Sequence, residues 1–115
     1  MSITTSEGQA TVGTTEWSIA FNAAATTSNN MSTPGVYQVF IDFSALTSAE
    51  YYEVIIYESA MAGTNGGTVL STIIHQPSDP IWVSPALTLV NMWDVTVTKV
   101  TGTDRFINWS IRKVG

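Results

Sequence analysis

The chain has no cysteine. That excludes a disulfide framework and every thiolate metal site. It holds one histidine, His75, and no HxH, HxxxH or HxxE spacing, so an imidazole-based metal site has no sequence support. Charge is scarce as well. Asp, Glu, Lys and Arg make up 11% of the 115 residues, against roughly 25% in an average soluble domain. Basic residues are absent from the first 98 positions, which carry eight carboxylates. No apolar run approaches the ~20 residues of a membrane helix, and no helix-length amphipathic pattern occurs. The first ten residues have neither a basic segment nor an apolar core, so they do not read as a secretory signal. Without that signal, the sequons at Asn30-Met31-Ser32 and Asn108-Trp109-Ser110 read as chance matches.

What fills the chain instead is Ser and Thr, 29 of 115 residues, with strands rich in Val, Ile, Tyr and Trp. A surface of hydroxyls, amides and apolar atoms is weakly hydrated and invites association. The net charge of −5 argues against nucleic acid as partner, because phosphate binding needs a basic face. The last 17 residues reverse the balance with Lys99, Arg105, Arg112 and Lys113 against Asp104. They read either as a solvated hairpin or as a basic edge that meets the acidic body of a neighbouring copy.

Residues 35–59 organise the rest. Tyr37, Val39, Ile41 and Phe43 alternate with their neighbours, and Tyr52, Val54 and Ile56 do the same after a short connection. Period-two patterning in such residues predicts two strands, and apolar side chains on both phases predict central strands covered on both sides. One helical turn, capped by Ser44 or Ser48, is expected between them. Residues 1–15 read as an N-terminal arm or edge strand anchored by Ile3 and Val12, and residues 16–115 as a single β-sandwich domain. Glu16–Asn22 alternates with Trp17, Ile19 and Phe21 on one face. Residues 23–34 and 61–67 read as loops, the second with too few oxygens to hold calcium. Thr68–Gln76 is the next strand. Pro77–Pro80 reads as a turn, and Pro85 ends a short edge strand at Ile81–Val83. Met92–Val100 and Phe106–Lys113 read as a closing hairpin whose apolar faces match. About eight short strands predict an all-β, antiparallel β-sandwich, with the jelly roll as one form of it and a closed barrel as the alternative.

The sequence offers little chemistry. No G-x-S-x-G elbow occurs. Glu53 and Glu58 have opposite strand parity, and Asp42 with Glu50 is the other carboxylate pair that hydrolysis of glycosides could use. No catalytic, cofactor-binding or metal-binding residue is assigned. Trp17, Trp93 and Trp109 fall in apolar phases and read as core. Trp82 and Tyr51, near loops, are the aromatics expected at a surface.

Four segments carry a resemblance: Asp42, Ser44 and Leu46 in the first turn; Trp82-Val83-Ser84-Pro85; Trp93-Asp94; and Gly102–Arg105 with Trp109–Arg112. Over residues 35–115 the chain resembles small β-sandwich virion proteins of tailed bacteriophages, of the capsid decoration or cement kind. It departs from them at Ala49-Glu50, where a common form of the turn continues with Gly-Asp. The resemblance implies a non-enzymatic virion protein on the outer capsid surface, assembled in the host cytoplasm. Its partners would be the phage major capsid protein and copies of itself, as in a homotrimer, with no nucleic acid and no membrane. A tail or head-fibre component binding host glycans is the alternative. The residues expected to touch a partner are Ile3, Val12, Tyr51, Trp82, Arg105, Arg112 and Lys113.

Overall fold

The computed structural model describes residues 3–25, 33–47, 49–59, 67–75, 80–90 and 92–114, and for His75 only its backbone. Of the loops expected at 23–34 and 61–67 and the turn at 77–80, residues 26–32, 61–66 and 77–79, with the cap at Ser48, lie outside the described residues, while Ala23–Ala24 form a short strand and Gly67 begins another. Among the described residues there are ten strands: β1 (Ile3–Val12), β2 (Trp17–Ser18), β3 (Ala23–Ala24), β4 (Gly35–Asp42), β5 (Tyr51–Glu58), β6 (Gly67–His75), β7 (Ile81–Val83), β8 (Leu87–Leu89), β9 (Asp94–Thr101) and β10 (Arg105–Val114). They form two antiparallel sheets packed on one another, a β-sandwich.

The first sheet runs β1-β10-β4-β7, with β8 also on β4; the second runs β3-β2-β9-β5-β6. β7 and β8 are two pieces of one edge. They pair with opposite ends of β4 and are broken at Ser84-Pro85. Pro85 cannot donate to a ladder, and Ser84 carries the edge across the gap. Its N–H donates to Val39 O at 2.9 Å, and its buried hydroxyl accepts the Val39 N–H at 2.9 Å. With those pieces joined, the pairings nest: β1 with β10, β2 with β9, β4 with β7 and β8, β5 with β6. The chain is folded back on itself as one long ribbon. The ribbon is then rolled so that β10 meets β4 and β9 meets β5. This is the winding of a jelly roll.

The nesting corrects two expectations. The last two strands are not a hairpin. β9 lies in the second sheet and β10 in the first, so the stripes Trp93-Val95-Val97 and Ile107-Trp109-Ile111 face each other across the core. Matching apolar faces serve stacking as well as they serve pairing, and here they stack. The two strands of residues 35–59 lie in different sheets. Each is interior to its own sheet, and Phe43 meets Tyr52 between the layers with ring centroids 6.2 Å apart. They are not covered on both sides. Tyr37, Val39, Ile41, Tyr52, Val54 and Ile56 are buried, while the alternate residues are half-buried or exposed. A two-layer fold gives each strand one dry face only.

Two smaller differences have local causes. β2 is two residues long, and the chain turns back at once through Asn22, whose φ is 55°. The alternation from Trp17 therefore fails: Ser18 and Ile19 are buried and Phe21 is exposed. Between β4 and β5, the described residues form no helix. Leu46 N–H bonds Phe43 O and Glu50 N–H bonds Thr47 O, both at 3.0 Å, making two successive turns. The cap is Asp42, not Ser44: its carboxylate accepts the Ser44 N–H at 2.9 Å.

Candidate interaction face

β10 is central in the first sheet, and its alternate residues Phe106, Asn108, Ser110, Arg112 and Val114 point away from the core stripe of Ile107, Trp109 and Ile111. The register extends this outer face across the neighbouring strands. Val114 lies opposite Ile3 on β1 and Val36 on β4, so three exposed aliphatic side chains form a row across three strands. Two rungs away, Phe40 lies opposite Ser110 on one side and Val83 on the other. Arg112 folds back over Phe40, its Cζ 3.6 Å from the ring centroid. At that distance the cation lies against the ring face, a favourable cation–π placement. Ile81 and Phe106, both more than half exposed, extend the apolar area at the far end.

Two of the other cations are committed within the chain. Lys99 Nζ lies 2.6 Å from Asp104 Oδ1, and Arg105 Nε lies 2.8 Å from Glu50 Oε1. Lys113 is half-buried on the core-facing parity, its Cε where a Cβ on Gly35 would meet it at 2.7 Å. Only Arg112, of the four, stands exposed on a face. The expected partner residues thus separate. Ile3 and Arg112 come together on this one face. Tyr51 is exposed on the outside of the second sheet, opposite Thr101 and His75. Arg105 is held by Glu50. Val12 is completely buried, and Trp82, opposite Ile41, packs against the core. Val12 offers no surface and Trp82 only part of its ring, because both fall on the inward parity of edge strands whose Thr-rich or three-residue sequences show little alternation.

Most of the described carboxylates are engaged in structure. Glu50 is buried and accepts bonds from Thr47 N–H (2.7 Å), Thr47 Oγ1–H (3.1 Å), Thr103 N–H (2.6 Å) and Arg105 Nε–H. The Thr47 N–H bond foremost, and then Arg105 and Thr103, hold its carboxyl down to about 2 against the opposing effect of desolvation. On the outer side of the second sheet a polar group joins three strands. Tyr57 O–H and Thr96 Oγ1–H both donate to Glu16 Oε2. Ser18 Oγ–H donates to Asp94 Oδ1 at 2.7 Å, as does Val95 N–H at 2.8 Å. Burial pushes the Asp94 carboxyl up to about 6, with the Glu16 charge adding to it. Burial, and then Glu16, push the Tyr57 phenol up to about 12. Sequence reading missed this group, because Ser18 and Asp94 are 76 positions apart. In the sequence Asp94 and Thr96 look like the ordinary polar phase of a strand, and only the structure buries them.

The carboxylate pairs considered for hydrolysis do not share a site. Asp42 caps a turn, and Glu50 is locked inside. Glu53 accepts from Ser71 Oγ–H at 3.1 Å, and Glu58 accepts the Val90 N–H at 2.5 Å. His75 ends β6 opposite Tyr51, and its side chain lies outside the described residues. Among the described residues no three His, Cys, Asp or Glu side chains converge as a metal site would require.

Comparison of the chain with protein families, with curated proteins and with solved structures finds no match. The reading of function therefore rests on the face itself and on the sequence resemblance.

Proposed function

We propose that this chain is a non-enzymatic structural protein of a tailed-bacteriophage virion, a capsid decoration or cement protein. In this reading it sits on the outer capsid and bridges neighbouring major capsid subunits, adding contacts that hold the shell against internal DNA pressure. The observation that carries it is the outer face of the first sheet. An aliphatic row, Ile3-Val114-Val36, lies beside an exposed arginine over Phe40, with Glu7 and Asp42 as the carboxylates of the same face. Arginine and aromatic side chains in an apolar setting are the residues that dominate binding energy at protein interfaces. The resemblance over residues 35–115 supplies the virion context. Mass spectrometry of purified virions tests the reading. Hundreds of copies per particle are expected; absence, or a handful of copies, would overturn it. In the glycan-binding alternative Trp82 is half-buried against the core, and Tyr51 is the more exposed aromatic. Loss of glycan-array signal in Tyr51→Ala would favour it.

A further inference from the structure

The two sheets have four edges, and three of them are guarded. β3 has two residues. The β7 and β8 edge is split by Pro85 into two pieces of three residues. β1 is long but carries Glu7 at its middle, so a copy approaching there would bring like charges together. β6 is different. It runs nine residues, GTVLSTIIH, with no Pro and no Asp, Glu, Lys or Arg. Among the described residues it is bonded on one side only, to β5. Its single irregularity is at Val69, the residue passed over where Leu70 pairs Ile56 and Thr68 pairs Tyr57. From Leu70 to His75 the strand is regular, and Ile73 is half exposed. A long, uncharged, regular edge is a template for another strand.

We infer that β6 pairs with β6 of a second copy, antiparallel and about a two-fold axis, to make one ten-stranded sheet from two. The sequence of the strand selects that partner. A two-fold normal to the sheet keeps each side chain on its own face, so residues of equal parity oppose each other. An axis through Thr72 sets Thr72 against its own copy and Leu70 against Ile74 on the inner side, with Ser71 against Ile73 outside. Leu-Thr-Ile reads as apolar–hydroxyl–apolar in both directions, and Thr–Thr and aliphatic pairs are favourable cross-strand neighbours. Charge points the same way. The chain carries −5, so two copies approach most easily along an edge that contributes no charge. This pairing is independent of the virion reading, and it gives a dimer where the sequence resemblance implies a trimer.

Sedimentation equilibrium of the full chain across micromolar concentrations is expected to show a reversible monomer–dimer equilibrium. Ile73→Lys places two like charges about 7–8 Å apart across the axis and is expected to weaken dimerisation about tenfold or more. Its circular dichroism should remain that of the parent. Thr72→Cys, in a chain without other cysteines, is expected to give a disulfide-linked dimer under mild oxidation, whereas Val36→Cys on the outer face of the first sheet is not. A monomer at all concentrations, a trimer, or a dimer that ignores Ile73→Lys and fails to cross-link at position 72 would each overturn the inference.

Discussion

Arg105 donates through Nε to Glu50 Oε1 at 2.8 Å, tying together two connections that lie 55 positions apart in the chain. Glu50 ends the crossing from the first sheet to the second between β4 and β5. Arg105 begins β10, just after the crossing from β9 back to the first sheet. Tyr52 reinforces the same corner. Its hydroxyl lies 3.0 Å from Val12 O and 2.9 Å from Thr103 O, and accepts the Arg105 N–H at 2.9 Å. One corner therefore fixes how the ribbon crosses between layers at β1, β5 and β10.

Removing Glu50 should loosen that corner. Glu50→Ala strands the N–H groups of Thr47 and Thr103 and the Arg105 guanidinium. The thermal midpoint is expected to fall by roughly 5–10 °C. The folded carboxyl titrates at about 2, below its ordinary value of 4.5. Its contribution is thus complete above about pH 4.5 and is lost as pH falls through about 2. Glu50→Gln should therefore flatten the acid limb of stability between those values. Chemical denaturation at several pH values measures both effects.

Asp94 has the opposite sign. Its folded carboxyl titrates near 6, above the ordinary value of 3.8. The folded state favours the protonated form, so stability is highest below about pH 4 and declines as pH rises through about 6. Asp94→Asn keeps an oxygen to accept from Ser18 and Val95 and removes the buried charge. At pH 7 it is expected to stabilise the domain by about 1–2 kcal/mol, after allowing for partial solvent screening, and at pH 4 to change little. Equal effects at both pH values would sink this account.

Gly8 lies opposite Trp109 in the β1–β10 register, and a Cβ there would sit 2.7 Å from Trp109 Cζ2. The indole lies against the backbone where only glycine leaves room. Gly8→Ala should cost about 1–3 kcal/mol by displacing the ring. A urea midpoint lowered with unchanged slope checks it.

Arg112→Ala should leave folding intact, because the side chain is exposed and stands on the outside of Phe40. If the outer face of the first sheet binds the capsid, occupancy on expanded shells should drop at least about tenfold. Unchanged occupancy with an unchanged circular dichroism spectrum would remove this face from consideration.

Trp82→Ala separates core from surface. Trp82 is half-buried against the core opposite Ile41, so the expected outcome is a stability loss of about 2–4 kcal/mol. A stability loss within about 0.5 kcal/mol of zero would place it at the surface instead.

The sequence by itself determined where most strands lie and which phase of each is dry. Tyr37-Val39-Ile41, Tyr52-Val54-Ile56 and Ile107-Trp109-Ile111 are buried as their alternation requires, because the pleat alone sends alternate side chains to opposite faces. Its brief strands at Trp17 and Ile81 were harder to read, since two or three residues cannot establish a period. Only the tertiary structure decided which strand lies beside which. Period two names a face and not a neighbour, so β9 and β10 could equally have paired or stacked. The rolling of the ribbon settled that choice, and with it the fate of single residues. Val12 went inside under Tyr52, Arg105 was taken by Glu50, and Arg112 was left exposed over Phe40 beside the row of Ile3, Val114 and Val36. These contacts join positions tens of residues apart, and no local pattern in the chain encodes them.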